Sequence, residues 1–383
     1  MTSHPLRVAI FSGNYNYVRD GANQALNRLV GYLLRQSVKV RIYSPTTATP
    51  DFPPTGDLVS VASIPLPFGR GEYRLARGLT RAARRDLAAF NPHIVHVAAP
   101  DILGHRAISW AHQRRVPVLA SMHTRFETYP RYYGLAFLEP ILMAMLRRFY
   151  QRCDAVVAPS PSMAKVMHDQ KMGSRIDIWA RGIDTEIFNP TRRSLPWRQS
   201  LGIGDADVVI GFLGRLVMEK GLDIFADTIA ELRRRKVPHR VLVIGDGPAR
   251  EWFENHLPEA VFVGFQAGVD LGRAVASMDM LFNPSITETF GNVTLETMAC
   301  AVPVIAARAT GSENLVVDGV TGRLVPPGDV AAFADALSAY CSDAGLRTAH
   351  GQAGQKASTA FDWDRVNQSV LDQYWRLTGR ADG

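Results

Sequence analysis

The sequence predicts an α/β protein of two Rossmann-like domains, each a doubly wound parallel sheet. Three observations predict it. Short apolar runs of the buried-strand type alternate with longer segments of helical period along the whole chain. The alternation restarts after residue 190, so the series is written twice. The length, 383 residues, suits two packed domains better than one.

In the first half, RVAIFS (7–12) reads as a strand and leads into a loop containing Gly13 and Gly21. Residues 22–36 read as a helix with Ala25, Leu29, Tyr32 and Leu33 on one face. Strands follow at 38–43, 58–64, 93–99, 116–123 and 154–160. Residues 191–204, polar with one proline and two glycines, read as a linker. The second half then repeats the pattern, with strands at 207–214, 240–247, 260–265, 278–285 and 302–307 and a helix at 221–235. Residues 362–380 carry a final helical pattern. The expected organisation is a first domain over 1–190, a second over 191–361, and a helix in 362–383 that folds back on the first domain.

The net charge of +7 is uneven. Residues 1–190 hold 24 basic against 13 acidic side chains, and residues 191–383 hold 19 against 23. A basic first half points to a polyanionic partner, an anionic membrane surface or nucleic acid. Three scattered cysteines (Cys153, Cys300, Cys341) read as free thiols of a reducing compartment. No leader or spanning segment is recognisable. The apolar run 135–146 is too short to cross a bilayer and is broken by Glu139 and Pro140. The expected location is therefore the cytoplasm, with peripheral contact at the inner face of the membrane.

Ligands of open α/β sheets bind beyond the carboxyl ends of the strands, here in a cleft between the two domains. Arg215 and Lys220 follow the first strand of the second half and precede a helix at Gly221, which suits a phosphate group. In SITETFGNVTLETMA (285–299), Glu288 stands in a loop after a strand. Gly291 permits close ligand approach, Asn292 is an expected N-cap, and Glu296 lies one turn into the helix. An anion at that helix N-terminus, near Asn292 and Val293, leaves Glu296 beside a ribose diol and Glu288 at the opposite end of the ligand. The spacing fits a sugar nucleotide. Gly264 and Phe265, at another strand end, are expected at the base. His93 and His96 read as sheet residues rather than a metal pair.

Glu288 and Glu296 with Phe290-Gly291, after Gly214-Arg215 and Lys220-Gly221, resemble the retaining glycosyltransferases of family 4, which have the GT-B fold. ARGIDTEIFNP (180–190), GDGP (245–248) and ENLVVDGVTGRLVPPGD (313–329) extend the resemblance over nearly the whole chain. The resemblance implies that Arg215 and Lys220 neutralise the donor diphosphate and that Glu288 contacts sugar hydroxyls. It further implies that the backbone of Phe290, Gly291 and Asn292 meets sugar or phosphate, and that Glu296 holds the ribose. It implies a phosphate contact at Gly21, although the loop NYNYVRDGAN (14–23) lacks the family's usual glycine pair. His123 matches the family's histidine beside the reacting sugar. Retention of anomeric configuration is likewise implied by the resemblance alone.

No cofactor is expected, and no metal: two Asp-x-Asp runs, at 205–207 and 362–364, read as structural. On the acceptor side, residues 121–146 resemble lipid-glycosylating members, among them diacylglycerol-linked mannosyltransferases and sulfoquinovosyl transferases. Residues 70–90 place six arginines around Leu75, Leu79, Ala83 and Leu87. That pattern suits either a membrane-surface helix or a helix packing its leucines on the sheet. The favoured donor is GDP-mannose, then a UDP-sugar, with a lipid or lipid-linked acceptor and no nucleic acid. The alternatives are a sugar-nucleotide epimerase of similar fold and a non-enzymatic nucleotide- or nucleic-acid-binding module.

Overall fold

The structure, a computed structural model, describes residues 5–18, 20–65, 73–123 and 136–380. The chain forms two compact units, Met1–Gly182 with Trp363–Gly383, and Ile183–Asp362. It passes from one unit to the other at Gly182, earlier than the boundary expected at 190.

Unit 1 is built on a seven-stranded parallel sheet in the order β3-β2-β1-β6-β7-β8-β9. The strands are β1 (Arg7–Phe11), β2 (Lys39–Ser44), β3 (Asp57–Ser60), β6 (Ile94–Val97), β7 (Val118–Ser121), β8 (Ala155–Ala158) and β9 (Ile176–Ile178). A separate antiparallel pair is formed by β4 (Ser63–Pro65) and β5 (Arg74–Ala76), so the run 58–64 is two strands and not one. The helices are α1 (Gly21–Arg35), α2 (Arg81–Phe90), α3 (Ile102–Gln113), α4 (Glu139–Tyr150) and α5 (Pro161–Asp169).

Both faces of this sheet are covered, which is why its strands read as continuous apolar runs. In β1, Ala9 and Phe11 enter one core with Val97, Leu103 and Phe149. Val8 and Ile10 enter the other with Leu26, Leu29 and Leu33 of α1. The last helix of the chain (Trp363–Thr378) completes that second core with Val370, Leu371 and Tyr374. Burial of Val370 and Leu371 contributes roughly 1.5–3 kcal/mol each.

Unit 2 carries a six-stranded parallel sheet in the order β12-β11-β10-β13-β14-β15. Its strands are β10 (Val209–Leu213), β11 (Arg240–Ile244), β12 (Val261–Phe262), β13 (Met280–Asn283), β14 (Val304–Ala307) and β15 (Gly322–Val325). Its helices are α6 (Leu195–Ser200), α7 (Leu222–Arg234), α8 (Arg250–His256), α9 (Gly268–Ala276), α10 (Asn292–Ala299), α11 (Val330–Ser342) and α12 (Ala344–Ser358); the last helix of unit 1 is α13. In each unit the chain order reverses once, between β1 and β6 and between β10 and β13. Those reversals are the switch points at which open α/β sheets bind ligands.

Three expectations are corrected. The linker at 191–204 is a packed part of unit 2. Ser194 caps α6, whose Arg198 is fully buried, and Arg198 bonds Asp279 at 2.9 Å and the carbonyls of Ser277, Gly204 and Asp207. A serine two residues before a proline is a helix start, a signal outweighed in the sequence by the segment's polarity. The helix sought over 70–90 is only α2, capped by Thr80, and residues 70–72 lie outside the described residues. Leu79, Ala83 and Leu87 are buried in the core, so that apolar face is spent on the fold and is not free for a membrane. Arg81, Arg84 and Arg85 remain exposed. Finally, α10 begins at Asn292 itself, and its cap is Gly291. Cys153, Cys300 and Cys341 are free.

Candidate active site

In unit 2 the switch point gathers the residues that follow β10 and β13. Beyond β10, Arg215 is exposed, with no side-chain partner among the described residues. A short turn, Met218–Lys220, then carries Lys220 to the start of α7. Beyond β13, Thr287 Oγ1 donates to the carbonyl of Glu219 at 3.2 Å and ties the two loops together. Lys220 Nζ donates to Glu288 Oε1 at 2.5 Å. Both side chains are mostly withdrawn from solvent, 28% and 16% exposed, so this pair is less screened than a surface ion pair.

Glu288 is held by its backbone. Thr310 Oγ1 donates to its carbonyl at 2.6 Å. Gly311 presses on it so closely that a Cβ added there would overlap the Glu288 Cβ. Phe290 is buried edge-on against Phe361, with ring centroids 5.8 Å apart. Gly291 then takes φ 98°, ψ 54°, a left-handed conformation that glycine adopts without strain. The turn at Gly291 starts α10, and the first amides of a helix have no partner within it. Asn292 and Val293 lie in this first turn.

Glu296 is mostly buried one turn along α10. Burial first, and then the charge of Glu288, push its carboxyl from the ordinary 4.5 up to about 8. The resting protein therefore carries Glu296 largely protonated at neutral pH, where the sequence suggested a carboxylate. Gly264 follows β12 and accepts a hydrogen bond from the Gly245 amide at 2.9 Å. Phe265 beside it is 67% exposed, an unusual position for a large aromatic.

In unit 1 His123 follows β7, and Gly21 opens α1. Asp20 caps α1 by accepting from the Asn23 amide at 2.8 Å. A carboxyl thus already sits at the helix start expected to meet a phosphate, and it opposes a second anion there. His123 Nε2 is 2.9 Å from Ser121 Oγ, and its Nδ1 is 2.7 Å from Arg181 Nη2. Ser121 Oγ also meets Nε2 of the buried His96 at 2.9 Å, and His96 Nδ1 meets Tyr374 Oη of α13 at 2.6 Å. His93 precedes β6 and accepts from the Arg7 amide, and both ring nitrogens of His96 are engaged, so both sit as hydrogen-bonded residues of the sheet. No cluster of three or more His, Cys, Asp or Glu side chains able to hold a metal occurs among the described residues.

The structure thus brings Lys220, Glu288 and Glu296 together in unit 2, and in unit 1 sets His123 at the end of β7 and Gly21 at the start of α1. Sequence reasoning missed Arg181, although ARGIDTEIFNP contains it, and missed Thr310 and Gly311, which fix Glu288. A small residue pair beyond a strand end was the available signal for the latter.

Comparison with known proteins agrees with this architecture. Residues 19–187 match the family model described as Glycosyltransferase Family 4, and residues 207–343 the model described as Glycosyl transferases group 1. The chain is 30% identical over 379 residues to the GDP-mannose-dependent alpha-mannosyltransferase of Mycolicibacterium smegmatis, covering 98% of each. It is 28% identical to a sulfoquinovosyl transferase of Arabidopsis thaliana, over 97% of this chain and 74% of that one. Sucrose-phosphate synthase from Thermosynechococcus elongatus superposes with a TM-score of 0.78 at 19% identity, covering 98% of this chain and 99% of that one. WaaG, a glycosyltransferase involved in lipopolysaccharide biosynthesis, gives 0.71 at 17%, over 97% of this chain and all of that one. These two likenesses identify the fold as GT-B, and the matched domains and full-length relatives identify the chemistry. The chain belongs to glycosyltransferase family 4.

Proposed function

We propose that this glycosyltransferase moves a hexose, with retention, from a nucleoside-diphosphate sugar to a lipid or lipid-linked acceptor. GDP-mannose is the first-choice donor and a UDP-sugar the second. The observation that carries the donor half is the Lys220–Glu288 pair at the mouth of α10. A cation, a carboxylate and unpaired helix amides within one loop cluster match the three parts of such a donor: phosphate, sugar hydroxyl and phosphate again.

On this reading the donor breaks the resting ion pair. Lys220, Arg215 and the amides at Asn292 and Val293 take the diphosphate, and Glu288 takes sugar hydroxyls. Glu296 takes the ribose diol, and Phe265 lies against the base near Gly264. Departure of the nucleoside diphosphate builds charge on its outer phosphate, and groups already aimed there stabilise it without reorganising. Glu288 and Glu296 act by binding, and the departing phosphate oxygen accepts the proton of the acceptor hydroxyl on the same face of the sugar. The cations of the chain perform the role of a metal, so chelator treatment leaves activity intact.

The choice of GDP-mannose is supported by the names of full-length mannosyltransferase relatives. A lipid acceptor is supported by an exposed apolar stripe on unit 1. Phe137, Ile141 and Met145, at one-turn spacing along α4 and the turn before it, are 71%, 58% and 57% exposed. Exposed Arg148 continues that face and suits an anionic lipid surface. The adjoining 124–135 of the expected acceptor segment lies outside the described residues. No helix among the described residues is long and apolar enough to cross a membrane, so contact would be peripheral.

The test is a thermal-shift screen of GDP, UDP and ADP, followed by transfer from the matching labelled sugar nucleotide to lipid extract. Stabilisation by GDP and labelled glycolipid support the reading. Sugar-nucleotide turnover without any acceptor would point instead to an epimerase.

A further inference from the structure

The buried polar chain of unit 1 has a direction that chemistry dictates. Arg181 is 4% exposed. Its Nη1 donates to the carbonyls of Trp179 and Ala180, both at 3.1 Å, and its Nη2 lies 2.7 Å from His123 Nδ1. A guanidinium has only donors, so His123 Nδ1 must be the acceptor and carries no proton. A neutral His123 then holds its proton on Nε2 and donates it to Ser121 Oγ, 2.9 Å away. Beyond Ser121 two arrangements remain: the spare hydroxyl proton lies on Tyr374 or on Ser121, and His96 takes the matching tautomer. The tautomer of His123 is the same in both.

The surroundings reinforce this assignment. Burial holds Arg181 down to about 10, still charged at neutral pH, with Asp20 opposing the shift. Burial first, then Arg181 and His96, keep His123 well below the usual histidine range. Trp179 backs the group, its ring 5.5 Å from that of His123 and 5.1 Å from the Arg181 guanidinium carbon. Trp179 Nε1 bonds Asn367 of α13 at 3.3 Å. The charged or titratable groups around His123 include Arg181 in contact, His96 through Ser121, and Asp20 through Arg181.

We propose that Arg181 is a positioning residue that fixes His123 as a neutral imidazole protonated at Nε2, so that His123 serves transfer as a fixed polar wall and not as a proton carrier. This rests on the reading of His123 as a residue on the substrate side of unit 1. α13 acts in the same assembly, because its Tyr374 and Asn367 close the far ends of the cluster.

The test uses full-length protein labelled with ¹⁵N-histidine. Long-range ¹H–¹⁵N correlation spectra assign the His123 tautomer by comparison with His123→Gln, and kcat and KM are measured against pH. The wild type should show His123 protonated only at Nε2 from pH 8 to about pH 5, with no histidine limb in the rate profile. Arg181→Met should admit an Nδ1 proton, bring His123 titration toward neutrality, and lower kcat about tenfold with an acid limb absent from the wild type. Arg181→Gln, whose amide still donates, should restore the wild-type tautomer and part of kcat.

An imidazolium or an Nδ1 proton in the wild type at pH 7 overturns the proposal. So does an Arg181→Gln spectrum that has lost the Nε2 tautomer, and this variant decides the matter should Arg181→Met not fold. Full activity of His123→Gln would instead sink the substrate-side reading and leave the tautomer assignment standing.

Discussion

Donor binding should release a proton from Glu296. In the free protein this carboxyl titrates at about 8, so at pH 7 it is about nine-tenths protonated. A ribose diol donating two hydrogen bonds favours the ionised form. Ionising the group first costs about 1.4 kcal/mol at pH 7, close to a factor of ten in affinity. With the bound carboxyl titrating below pH 6, Kd should tighten about fifty-fold from pH 6 to pH 8 and then level off. A sugar nucleotide is the right ligand, because its diphosphate has no group titrating near neutrality. Calorimetry in two buffers of different ionisation enthalpy should return about 0.9 proton released at pH 7. Glu296→Gln should bind with no proton release and little pH dependence. Wild-type binding without proton release, or a pH dependence that survives in Glu296→Gln, would refute the reasoning.

Other predictions follow from the same contacts. Between about pH 4.5 and 8 the folded chain keeps a proton on Glu296 that the unfolded chain has lost. Stability should therefore fall as pH rises through that window, and Glu296→Gln should flatten the fall in urea titrations, with an upper limit of roughly 5 kcal/mol. Gly311→Ala forces Glu288 to move and should lower kcat/KM more than tenfold while GDP, which lacks the sugar, still gives a wild-type thermal shift. Arg198→Ala leaves Asp279 short of its buried partner and should cost about 3 kcal/mol in denaturant unfolding. Ile141→Ser with Met145→Ser should weaken activity on acceptor in anionic vesicles and spare donor hydrolysis; equal loss of both would detach the α4 stripe from acceptor binding.

Much of the fold was legible because it is written in local period. Buried parallel strands such as 94–97 and 304–307 need apolar side chains on both faces, and that need prints a run no surface strand shows. Lys220 and Glu288 were legible for a related reason: each lies in the loop after an apolar strand, and strand ends of an α/β sheet converge at the switch point. What escaped depends on contacts made far along the chain. Leu79 and Leu87 could face lipid or core, and only their packing into the core of unit 1 decides. Arg198 reads as a surface cation until Asp279, eighty-odd residues on, is folded against it. The protonation of Glu296 is set by the packing around α10, which no residue spacing encodes. Arg181 sits among short-range signals of a loop, and its meaning appears only once β7 has brought His123 to it and α13 has closed the cluster with Tyr374 and Asn367.

The most direct test of the account is a crystal structure of the protein with an unhydrolysed sugar nucleotide. The account predicts the diphosphate within hydrogen-bonding distance of Lys220, Arg215 and the amides at Asn292 and Val293, with Glu288 on the sugar and Glu296 on the ribose. A diphosphate bound elsewhere, with the Lys220–Glu288 pair still closed, would contradict it.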